Sequence, residues 1–460
     1  MKFDPREKVC WVVGLARSGC AAGGLLRRHG ARVIGVDDAD ESTLAARWRR
    51  EDLVTSSAAA FDEIASGGGW PAQRCDLVVI SPGVPTDHPR LRGLAPAVPV
   101  IGELELGAWF CRAEMAAVTG TNGKTTTTEM VAHLARRAGR RAHALGNVGR
   151  PLSLVADTLE PNELAVLEVS SFQLETVRDF RPRAGAVLNL APDHLDRYAD
   201  LAGYYAAKRN LADRIPPEGS FITWTGCPEA LAWTTPGNRI LFGDGPGADV
   251  FFADGFLTAR TAGRQRPVIA AADLALQSPP NLLNAQAAVA LGLGLDLDPD
   301  AMGQGLGDFP GLPHRHQPVA ARGGVRFIDD SKATNVHAVC AGLKGFPAPV
   351  VLIAGGSGKG EDYAPLRDVL AGVRHVVLIG AEGGAIGRAL AGAVPTTAAA
   401  TMDEAVALAA DLAEPDAVVL LSPACASFDM FADYHQRGEA FAAAALRAGA
   451  EGLVDGSVGA

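Results

Sequence analysis

Residues 115–126, Met-Ala-Ala-Val-Thr-Gly-Thr-Asn-Gly-Lys-Thr-Thr, decide the class of fold. The apolar run Met115 to Thr119 predicts a buried strand, and the residues after the loop predict a helix with one apolar face, formed by Met130, Val131, Leu134, Ala135 and Ala138. A glycine-rich loop between a strand and a helix points several backbone N–H groups at one anion, and the helix N-terminus adds positive partial charge. The stretch therefore predicts a phosphate-binding loop on a parallel α/β sheet.

The loop carries a lysine and a threonine where phosphate chemistry needs them. Lys124 is placed to reach the β- and γ-phosphates of a nucleotide, and the hydroxyl of Thr125 is placed to coordinate Mg²⁺. The pattern is G-x-x-G-K-T, shorter than the usual G-x-x-x-x-G-K-[ST], because position 118 is valine. A structural strand–helix turn with an exposed lysine is the alternative, and the position between strand and helix favours nucleotide binding.

Composition limits the classes of protein that the chain can belong to. Its 460 residues suggest three domains, at roughly 150 residues for each. With 42 basic and 52 acidic residues the net charge is −10, which argues against a nucleic-acid partner or a polybasic membrane binder. The seven cysteines are scattered with no C-x-x-C pair, as expected in a reducing compartment. Because we find neither a signal peptide nor an apolar run of membrane-spanning length, we expect a soluble cytoplasmic protein without a membrane span.

Short apolar strands alternate with helices along the whole chain, which predicts three α/β domains in series. The Gly/Pro-rich segment 309–313 is the most linker-like stretch. We place the domains at residues 1–112, 113–312 and 313–460. The predicted strands are residues 9–13, 32–36, 77–80, 115–119, 164–169, 186–190, 325–328, 350–354, 376–379 and 418–421. The segments 398–413 and 439–450 are predicted to be helical.

The first block contains a weaker nucleotide-binding pattern. Residues 14–19, Gly-Leu-Ala-Arg-Ser-Gly, keep two glycines of the G-x-G-x-x-G fingerprint and have Ala16 in the middle place. Asp37 ends the next predicted strand, where an acid could bind a ribose hydroxyl. A purely structural strand–helix turn remains the alternative.

Polar residues follow the later strands of the second block. Glu168 ends one strand and is a candidate Mg²⁺ ligand or a helix-capping acid. His194 lies just past the next strand end and is a candidate for metal contact or for hydrogen bonding alone. Lys208 has the pattern of a helix-surface lysine when the residues alone are considered.

Three polar loops follow strands of the third block, at residues 329–335, 355–360 and 422–429. Each loop taken alone is more often a turn than a site. Because open α/β sheets bind ligands at the carboxyl ends of their strands, the three together indicate a binding site.

The motifs resemble those of the Mur ligases. They occur in the family order over nearly the whole chain: GTNGKTT, LEVSSFQLE, NLAPDHLDRY, NLLNA, GLPHR, DDSKATN and SPACASFDMF. The resemblance implies an α/β fold of three domains: a Rossmann-like N-terminal domain that binds UDP, a P-loop ATPase-like central domain with a parallel sheet, and a mobile Rossmann-like C-terminal domain. The DSKATN stretch is similar to the branch that uses ATP to add D-glutamate to UDP-N-acetylmuramoyl-L-alanine through an acyl phosphate, in peptidoglycan precursor synthesis.

The resemblance also implies roles for individual residues. Catalytic roles fall on Lys124, His194 and Lys208. ATP binding falls on Gly120, Thr121, Asn122, Gly123, Lys124, Thr125, Thr126, Asn281, Asn284, Arg315 and Asp330. Two Mg²⁺ ions would be held by Thr125, Glu168, His194 and a carbamylated Lys208. The UDP substrate would contact Ser18, Asp37 and Asn147, and glutamate would contact Lys332, Thr334, Lys359, Ser422 and Phe428.

One segment departs from the family pattern, and two other functions remain open. Family members often carry Asp-Thr-Arg after the second strand, whereas this chain has Asp37-Asp38-Ala39. The missing arginine leaves Arg17 as a candidate for the UDP contact. The alternatives are an enzyme similar to folylpolyglutamate synthase and a nucleotide-regulated switch ATPase without ligase activity. No apolar heptad pattern stands out, so a monomer is expected.

Overall fold

The computed structural model describes residues 3–71, 73–94, 97–194, 197–245, 247–261, 263–344, 346, 349–358 and 360–452. These residues form three sheets with helices between the strands, which confirms the predicted α/β class. Along the described part of the chain, no helix is both long enough and apolar enough to cross a membrane.

The first sheet is entirely parallel. Its strands are β1 (Val9–Val13), β2 (Arg32–Val36), β3 (Glu63–Ala65), β4 (Leu77–Ile80) and β5 (Val100–Gly102), in the order β3-β2-β1-β4-β5. Its helices are α1 (Arg17–Arg28), α2 (Glu41–Arg50), α3 (Val54–Ala60), α4 (Pro89–Arg92) and α5 (Glu103–Phe110). Strand β1 is apolar throughout because Cys10 and Val12 enter one core while Trp11 and Val13 enter the core on the other face.

The second sheet carries the phosphate loop at its centre. Its strands are β6 (Glu114–Thr119), β7 (Ala142–Gly146), β8 (Leu164–Glu168), β9 (Ala184–Val187), β10 (Ser220–Trp224), β11 (Asn238–Phe242), β12 (Val250–Ala253), β13 (Phe256–Thr261) and β14 (Arg264–Ala270). The order is β14-β13-β12-β11-β10-β9-β6-β8-β7, so the ends of β8 and β9 flank the loop that follows β6. Only the pairs β12–β13 and β13–β14 are antiparallel among the described strands of this sheet.

The helices that follow are α6 (Lys124–Arg137), α7 (Ser171–Leu174), α8 (Leu201–Arg214), α9 (Pro228–Leu231), α10 (Pro279–Gly294) and α11 (Pro299–Gly307), with 3-10 turns at Leu152–Leu154 and Ala271–Asp273. The buried residues of α6 include Met130, Val131, Leu134 and Ala135, which the helical spacing predicts.

The third sheet brings the three polar loops to adjacent strands. Its strands are β15 (Gln317–Arg322), β16 (Val325–Asp329), β17 (Val350–Gly355), β18 (Val373–Ile379), β19 (Thr396–Ala398), β20 (Val418–Leu421) and β21 (Glu451–Gly452), in the order β19-β18-β17-β20-β16-β15-β21. Its helices are α12 (Val336–Leu343), α13 (Gly383–Ala389), α14 (Met402–Leu412) and α15 (Tyr434–Arg447), with a 3-10 helix at Ala364–Gly372. Because β17, β20 and β16 are parallel neighbours, the loops that follow them share one edge of the sheet.

The chain divides into two compact units. The first contains residues 1–190, 194–271 and 284–307, and the second contains residues 191–193, 272–283 and 308–460. The first unit holds the first two sheets and the second unit holds the third. The domain boundaries at 112/113 and 312/313 stay predictions.

Helix α5 joins the two sheets of the first unit through two buried carboxylates. Glu105 accepts hydrogen bonds from the backbone N–H groups of Arg178, Asp179 and Phe180 at 2.9, 2.7 and 3.1 Å. Glu103 accepts from both the N–H and the hydroxyl of Ser153, at 2.8 and 2.6 Å. These hydrogen bonds attach helix α5, which follows the last strand of the first sheet, to loops of the second sheet.

Several element boundaries differ from the sequence prediction: the strand predicted at 376–379 begins at Val373, and the helix predicted at 398–413 is found at Met402–Leu412. The predicted strand 186–190 is found at Ala184–Val187. Leu188 remains buried beneath the phosphate loop, so apolar character continues past the end of the strand. The helix predicted at 439–450 begins earlier, at Tyr434, because the side chain of Asp433 accepts from the backbone N–H of Gln436 and caps it.

Candidate active site

The loop between β6 and α6 depends on two glycines in the left-handed region. The φ angle is 147° at Gly120 and 85° at Gly123, conformations that other residues rarely adopt. A Cβ atom on Gly123 would also lie 2.5 Å from Oδ1 of Asn284. Because the first N–H groups of a helix have no partner within the helix, α6 begins at this loop with donors suited to an anion.

Asn189, which follows β9, holds the loop in this shape. Its Oδ1 accepts from the N–H of Asn122 at 2.9 Å, and its Nδ2 donates to the carbonyl of Asn122 at 3.0 Å. The Asn189 carbonyl accepts from the N–H of Thr121 at 3.0 Å. Sequence analysis missed Asn189, since one asparagine has no spacing pattern, although its position after a strand beside β6 was a signal.

Two ammonium groups meet at this loop. Lys124 donates to the carbonyls of Gly120 and Thr121 at 2.9 and 2.8 Å, and Lys208 donates to the same Gly120 carbonyl at 2.9 Å. The sequence alone placed Lys208 on a helix surface, and this was wrong, because the residue is 1% exposed. Two ammonium groups this close repel each other, and an anion bound beside them would reduce the repulsion.

Glu168, at the end of β8, offers a carboxylate oxygen to the site. Its side chain is 3% exposed. Oε1 accepts from Nδ2 of Asn147 at 3.0 Å, whereas Oε2 is buried and accepts no hydrogen bond from the described residues. A buried carboxylate oxygen without a donor is costly unless a cation or a ligand completes its contacts.

This carboxylate suits Mg²⁺ bound together with phosphates. In the described residues, no group of three or more His, Cys, Asp or Glu side chains is arranged to hold a metal. Mg²⁺ is commonly held by one or two protein carboxylates while phosphate oxygens and water complete its shell, so one acid such as Glu168 fits. Burial raises the pKa of Glu129, on the first turns of α6, and the negative charge of Glu168 acts in the same direction.

His194 lies in a cluster of aromatic rings beside the loop. Its ring centroid is 4.9 Å from Phe172 and 6.0 Å from Tyr204. The hydroxyl of Tyr204 is 3.3 Å from Oγ1 of Thr121, in the phosphate loop. His194 has a φ angle of 55°, a conformation uncommon outside glycine. The structure therefore places His194 near the loop, and its role as a metal ligand stays a prediction.

Helix α10 carries Asn281 and Asn284, the two asparagines to which the family resemblance assigns ATP binding. Asn284 accepts from the hydroxyl of Thr127 at 3.3 Å and lies against Gly123, so it belongs to the loop. Asn281 is buried three positions earlier in the same helix. Thr125 is half-buried and Thr126 is buried in the first turn of α6.

Two of the predicted UDP contacts, Ser18 and Asp37, lie at the carboxyl edge of the first sheet, whereas Asn147 follows β7 of the second sheet. Asp37 accepts from the N–H groups of Leu15 and Ala39, both at 2.9 Å, and from Arg47 at 3.0 Å. Its carboxylate therefore stabilises the loop after β1. The role of Asp37 as a UDP contact stays a prediction. Ser18 is half-buried in α1. Arg17, the candidate for the missing arginine, lies 3.4 Å from the carbonyl of Gly149.

In the second unit, Asp330 is surrounded by donors. It accepts from the hydroxyl of Ser422 at 2.9 Å and pairs with His316 at 3.4 Å. Burial opposes the charge of His316, but Asp330 outweighs it and the pKa of His316 is raised. Ser422 thus contacts another predicted site residue, and Arg315 is half-buried between His314 and His316.

The remaining predicted glutamate contacts are spread over the same edge. Lys332 places its Nζ 3.8 Å from the ring centroid of Tyr434, a residue that sequence analysis missed. Thr334 is half-buried, and its N–H donates to the carbonyl of Lys332. Phe428 is 74% exposed. Lys359 lies outside the described residues.

A glycine-rich loop between a central parallel strand and a helix, with converging lysines and an acid on the neighbouring strand, defines a phosphate-binding α/β protein of the P-loop class. Comparison with known families narrows this class. Residues 118–292 match the Mur ligase middle domain, and residues 314–425 match the Mur ligase glutamate ligase domain. The chain belongs to the Mur ligase family.

Curated relatives and a solved structure agree with this assignment. The chain is 40% identical over 458 residues to the UDP-N-acetylmuramoylalanine–D-glutamate ligase of Trichlorobacter lovleyi, covering 97% of this chain and 100% of that protein. It is 41% identical to the protein of the same name from Anaeromyxobacter dehalogenans, covering 94% and 96%. In fold it is similar to the UDP-N-acetylmuramate-alanine ligase of Thermotoga maritima, with a TM-score of 0.58 at 19% identity over 96% of this chain and 99% of that one.

Proposed function

We propose that the protein is an ATP-dependent ligase that joins D-glutamate to UDP-N-acetylmuramoyl-L-alanine, a step of peptidoglycan precursor synthesis that takes place in the cytoplasm. The observation that carries this proposal is the convergence of Lys124 and Lys208 on Gly120, after β6. At the end of the neighbouring strand β8, Glu168 has a buried oxygen that accepts no hydrogen bond from the described residues. The two relatives named above, about 40% identical over nearly the full chain, support the choice of substrates.

The reaction needs an activated carboxylate. A carboxylate resists attack by an amine because its oxygens are poor leaving groups. Transfer of the γ-phosphoryl group of ATP to the alanyl carboxylate releases ADP and forms an acyl phosphate. The amine of glutamate then attacks the acyl carbon, and inorganic phosphate leaves with the C–O bond electrons as the amide forms and the amine loses its proton.

The phosphate loop supplies the electrostatics for the first step. The N-terminus of α6 and the loop before it bind the phosphate tail, and the contacts of Asn189 with Asn122 hold that loop in shape. Lys124 neutralises the negative charge that develops on the transferred phosphoryl group. To do so, its ammonium leaves the carbonyls of Gly120 and Thr121 and donates to phosphate oxygens instead.

Thr125, Glu168 and His194 are the side chains that would hold Mg²⁺. The buried Oε2 of Glu168, without a hydrogen bond from the described residues, is the observation that fits a cation. When bound, Mg²⁺ neutralises phosphate charge and orients the phosphates. We propose two ions, the second held by His194 and a carbamate on Lys208, because a carbamate would turn a repelling ammonium into an anionic ligand.

The second unit would bind the amino acid. Lys332, Thr334 and Ser422 lie in loops after neighbouring strands of one sheet, where α/β proteins bind ligands. The cation of Lys332 suits a carboxylate of glutamate. Lys359 and Phe428 are proposed contacts by family position, as are Asn281, Arg315 and Asp330 toward the nucleotide of ATP, and Ser18, Asp37 and Asn147 toward the UDP substrate. We propose that the protein acts as a monomer.

The experiment is phosphate release from ATP with each substrate omitted in turn. The ligase requires UDP-N-acetylmuramoyl-L-alanine and D-glutamate together for sustained release, and mass spectrometry identifies the amide product. Release with a folate and L-glutamate would favour the folylpolyglutamate-type alternative. Hydrolysis that ignores both carboxylate substrates would favour a switch ATPase and overturn the proposal.

A further inference from the structure

Arg437 is a buried cation that no motif singled out. It lies in the first turns of α15 and is 1% exposed. Among the described residues, no carboxylate lies within ion-pairing distance of it. Burial lowers its pKa to about 10, although Cys425, Asp429 and Asp329 act in the opposite direction. A buried guanidinium persists only when its N–H groups are satisfied by other acceptors.

Those acceptors belong to the polar loops of the third sheet. Arg437 donates to the hydroxyl and the carbonyl of Ser331, after β16, at 3.0 and 2.8 Å. It also donates to the carbonyls of Cys425 and Ala426, after β20, at 3.0 and 3.1 Å. A Cβ atom on Gly356, after β17, would lie 3.1 Å from the guanidinium, so the third loop passes directly over it.

The loops are also bonded to one another through these acceptors. Ser357 and Ala426 exchange backbone hydrogen bonds of 2.9 Å in both directions. The hydroxyl of Ser331 donates to the carbonyl of Tyr434 at 2.8 Å, and the ring of Tyr434 supports the ammonium of Lys332. The planar guanidinium thus fixes the backbone next to Lys332. It does so through several N–H donors held in one rigid plane, which the single ammonium group of a lysine cannot provide.

We propose that Arg437 is the positioning residue of the amino-acid site: its guanidinium ties the loops after β16 and β20 together beneath the loop after β17, and through Ser331 it sets the position of Lys332. The inference rests on the proposed function, because it assigns this edge of the sheet to the glutamate substrate. The positioning role depends on the planar arrangement of the guanidinium donors, so a substitution that keeps only the positive charge does not preserve it.

The test uses Arg437→Lys, which keeps the charge and loses the planar set of donors. We expect the KM for D-glutamate to rise at least tenfold, while the KM for ATP and for the UDP substrate stays within twofold of the original value. Arg447→Gln is the matched control, since Arg447 lies on the same helix but is exposed and paired with Asp403. Its three KM values should not change.

Ser331→Ala is the second variant, because it leaves Arg437 in place and removes only the hydroxyl between Arg437 and Tyr434. It should raise the KM for D-glutamate in the same selective way, even if Arg437→Lys fails to fold. An unchanged KM for D-glutamate in Ser331→Ala, or in folded Arg437→Lys, overturns the inference, as does an equal rise for ATP.

Hydrogen exchange separates this inference from the proposed function, because it needs no turnover. In Arg437→Lys, amides of residues 329–335 and 422–429 should exchange at least fivefold faster, and amides of residues 120–126 should exchange at the original rate. Unchanged exchange in all three segments contradicts the positioning role whether or not the protein is a ligase. If the unsubstituted protein does not use D-glutamate but Arg437→Lys still shows faster loop exchange, only the proposed substrate is contradicted.

Discussion

Lys124 and Lys208 donate to the same acceptor, the carbonyl oxygen of Gly120, each across 2.9 Å. The two residues are far apart in sequence, one at the start of α6 and the other within α8. Two ammonium groups at one carbonyl oxygen repel each other, and burial strengthens that repulsion. A phosphate bound beside them, or loss of one of the two charges, would reduce it.

Replacement of Lys124 should stop the phosphoryl step. In Lys124→Met we expect the rate of ATP-dependent phosphate release to fall by about a hundredfold to a thousandfold, because one preorganised cation on the transferring group is lost. A melting curve of the variant checks that it remains folded, since Nζ of Lys124 also donates to the Gly120 and Thr121 carbonyls of its own loop. A variant with near-original turnover would show that the loop does not hold the reacting phosphates.

Lys208 should react with CO₂. Its neutral amine forms a C–N bond to the carbon of CO₂ and releases one proton, which leaves a carbamate where an ammonium stood. We expect a carbamate signal in ¹³C NMR of the protein equilibrated with ¹³C-bicarbonate. The signal should be absent in Lys208→Met. If the unsubstituted protein gives no carbamate signal and its activity does not depend on bicarbonate, the modification is ruled out.

Asn147 should control the affinity for Mg²⁺ by orienting Glu168. Its side chain donates to Oε1 of Glu168 and leaves Oε2 for the ion. In Asn147→Ala we expect the Mg²⁺ concentration that gives half-maximal activity to rise by about tenfold, as is typical when a partner that orients a metal ligand is removed. Asn162→Ala, at an exposed position before β8, serves as the control and should leave it unchanged. An equal Mg²⁺ requirement in both variants would contradict this role.

Glu103 should make folding stability depend on pH. Burial raises its pKa in the folded protein, although Ser153 opposes this by donating two hydrogen bonds. The folded state then binds the proton more tightly than the unfolded chain, so this stabilisation is complete below the ordinary carboxyl pKa, about 4.3. It is lost as the pH rises through the folded-state pKa. Urea unfolding from pH 5 to 8 should show the original protein losing stability relative to Glu103→Gln, and parallel profiles would refute this.

Glu105 should stabilise the first unit far more than an exposed acid does. Its carboxylate accepts three backbone N–H groups at residues 178–180 and the indole N–H of Trp109. Glu105→Ala leaves these donors without an acceptor, and we expect a loss of about 3 kcal/mol or more in unfolding free energy. Glu218→Ala, at an exposed acid, should cost almost nothing. The free energies come from urea titrations, and equal losses would contradict the buried role.

Local patterns were sufficient for the class of fold and for the phosphate loop. Strands such as β1 and β17 are continuous apolar runs because both of their faces are buried, and that signal is read directly from the sequence. Gly120 and Gly123 could be recognised as loop positions from the sequence, because positive φ angles there exclude most other residues. The three polar loops of the last sheet were also identified, since parallel strands end at one edge.

Tertiary structure alone decided which distant side chains meet. Asn189, Tyr434 and Arg437 have no spacing pattern, because each contacts a backbone N–H, an ammonium group or a backbone carbonyl that lies elsewhere in the sequence. Lys208 has the local pattern of a surface lysine, yet α8 packs it against the phosphate loop. Periodicity reports which face of an element is apolar, whereas a polar contact between elements depends on their three-dimensional packing, which no single segment encodes.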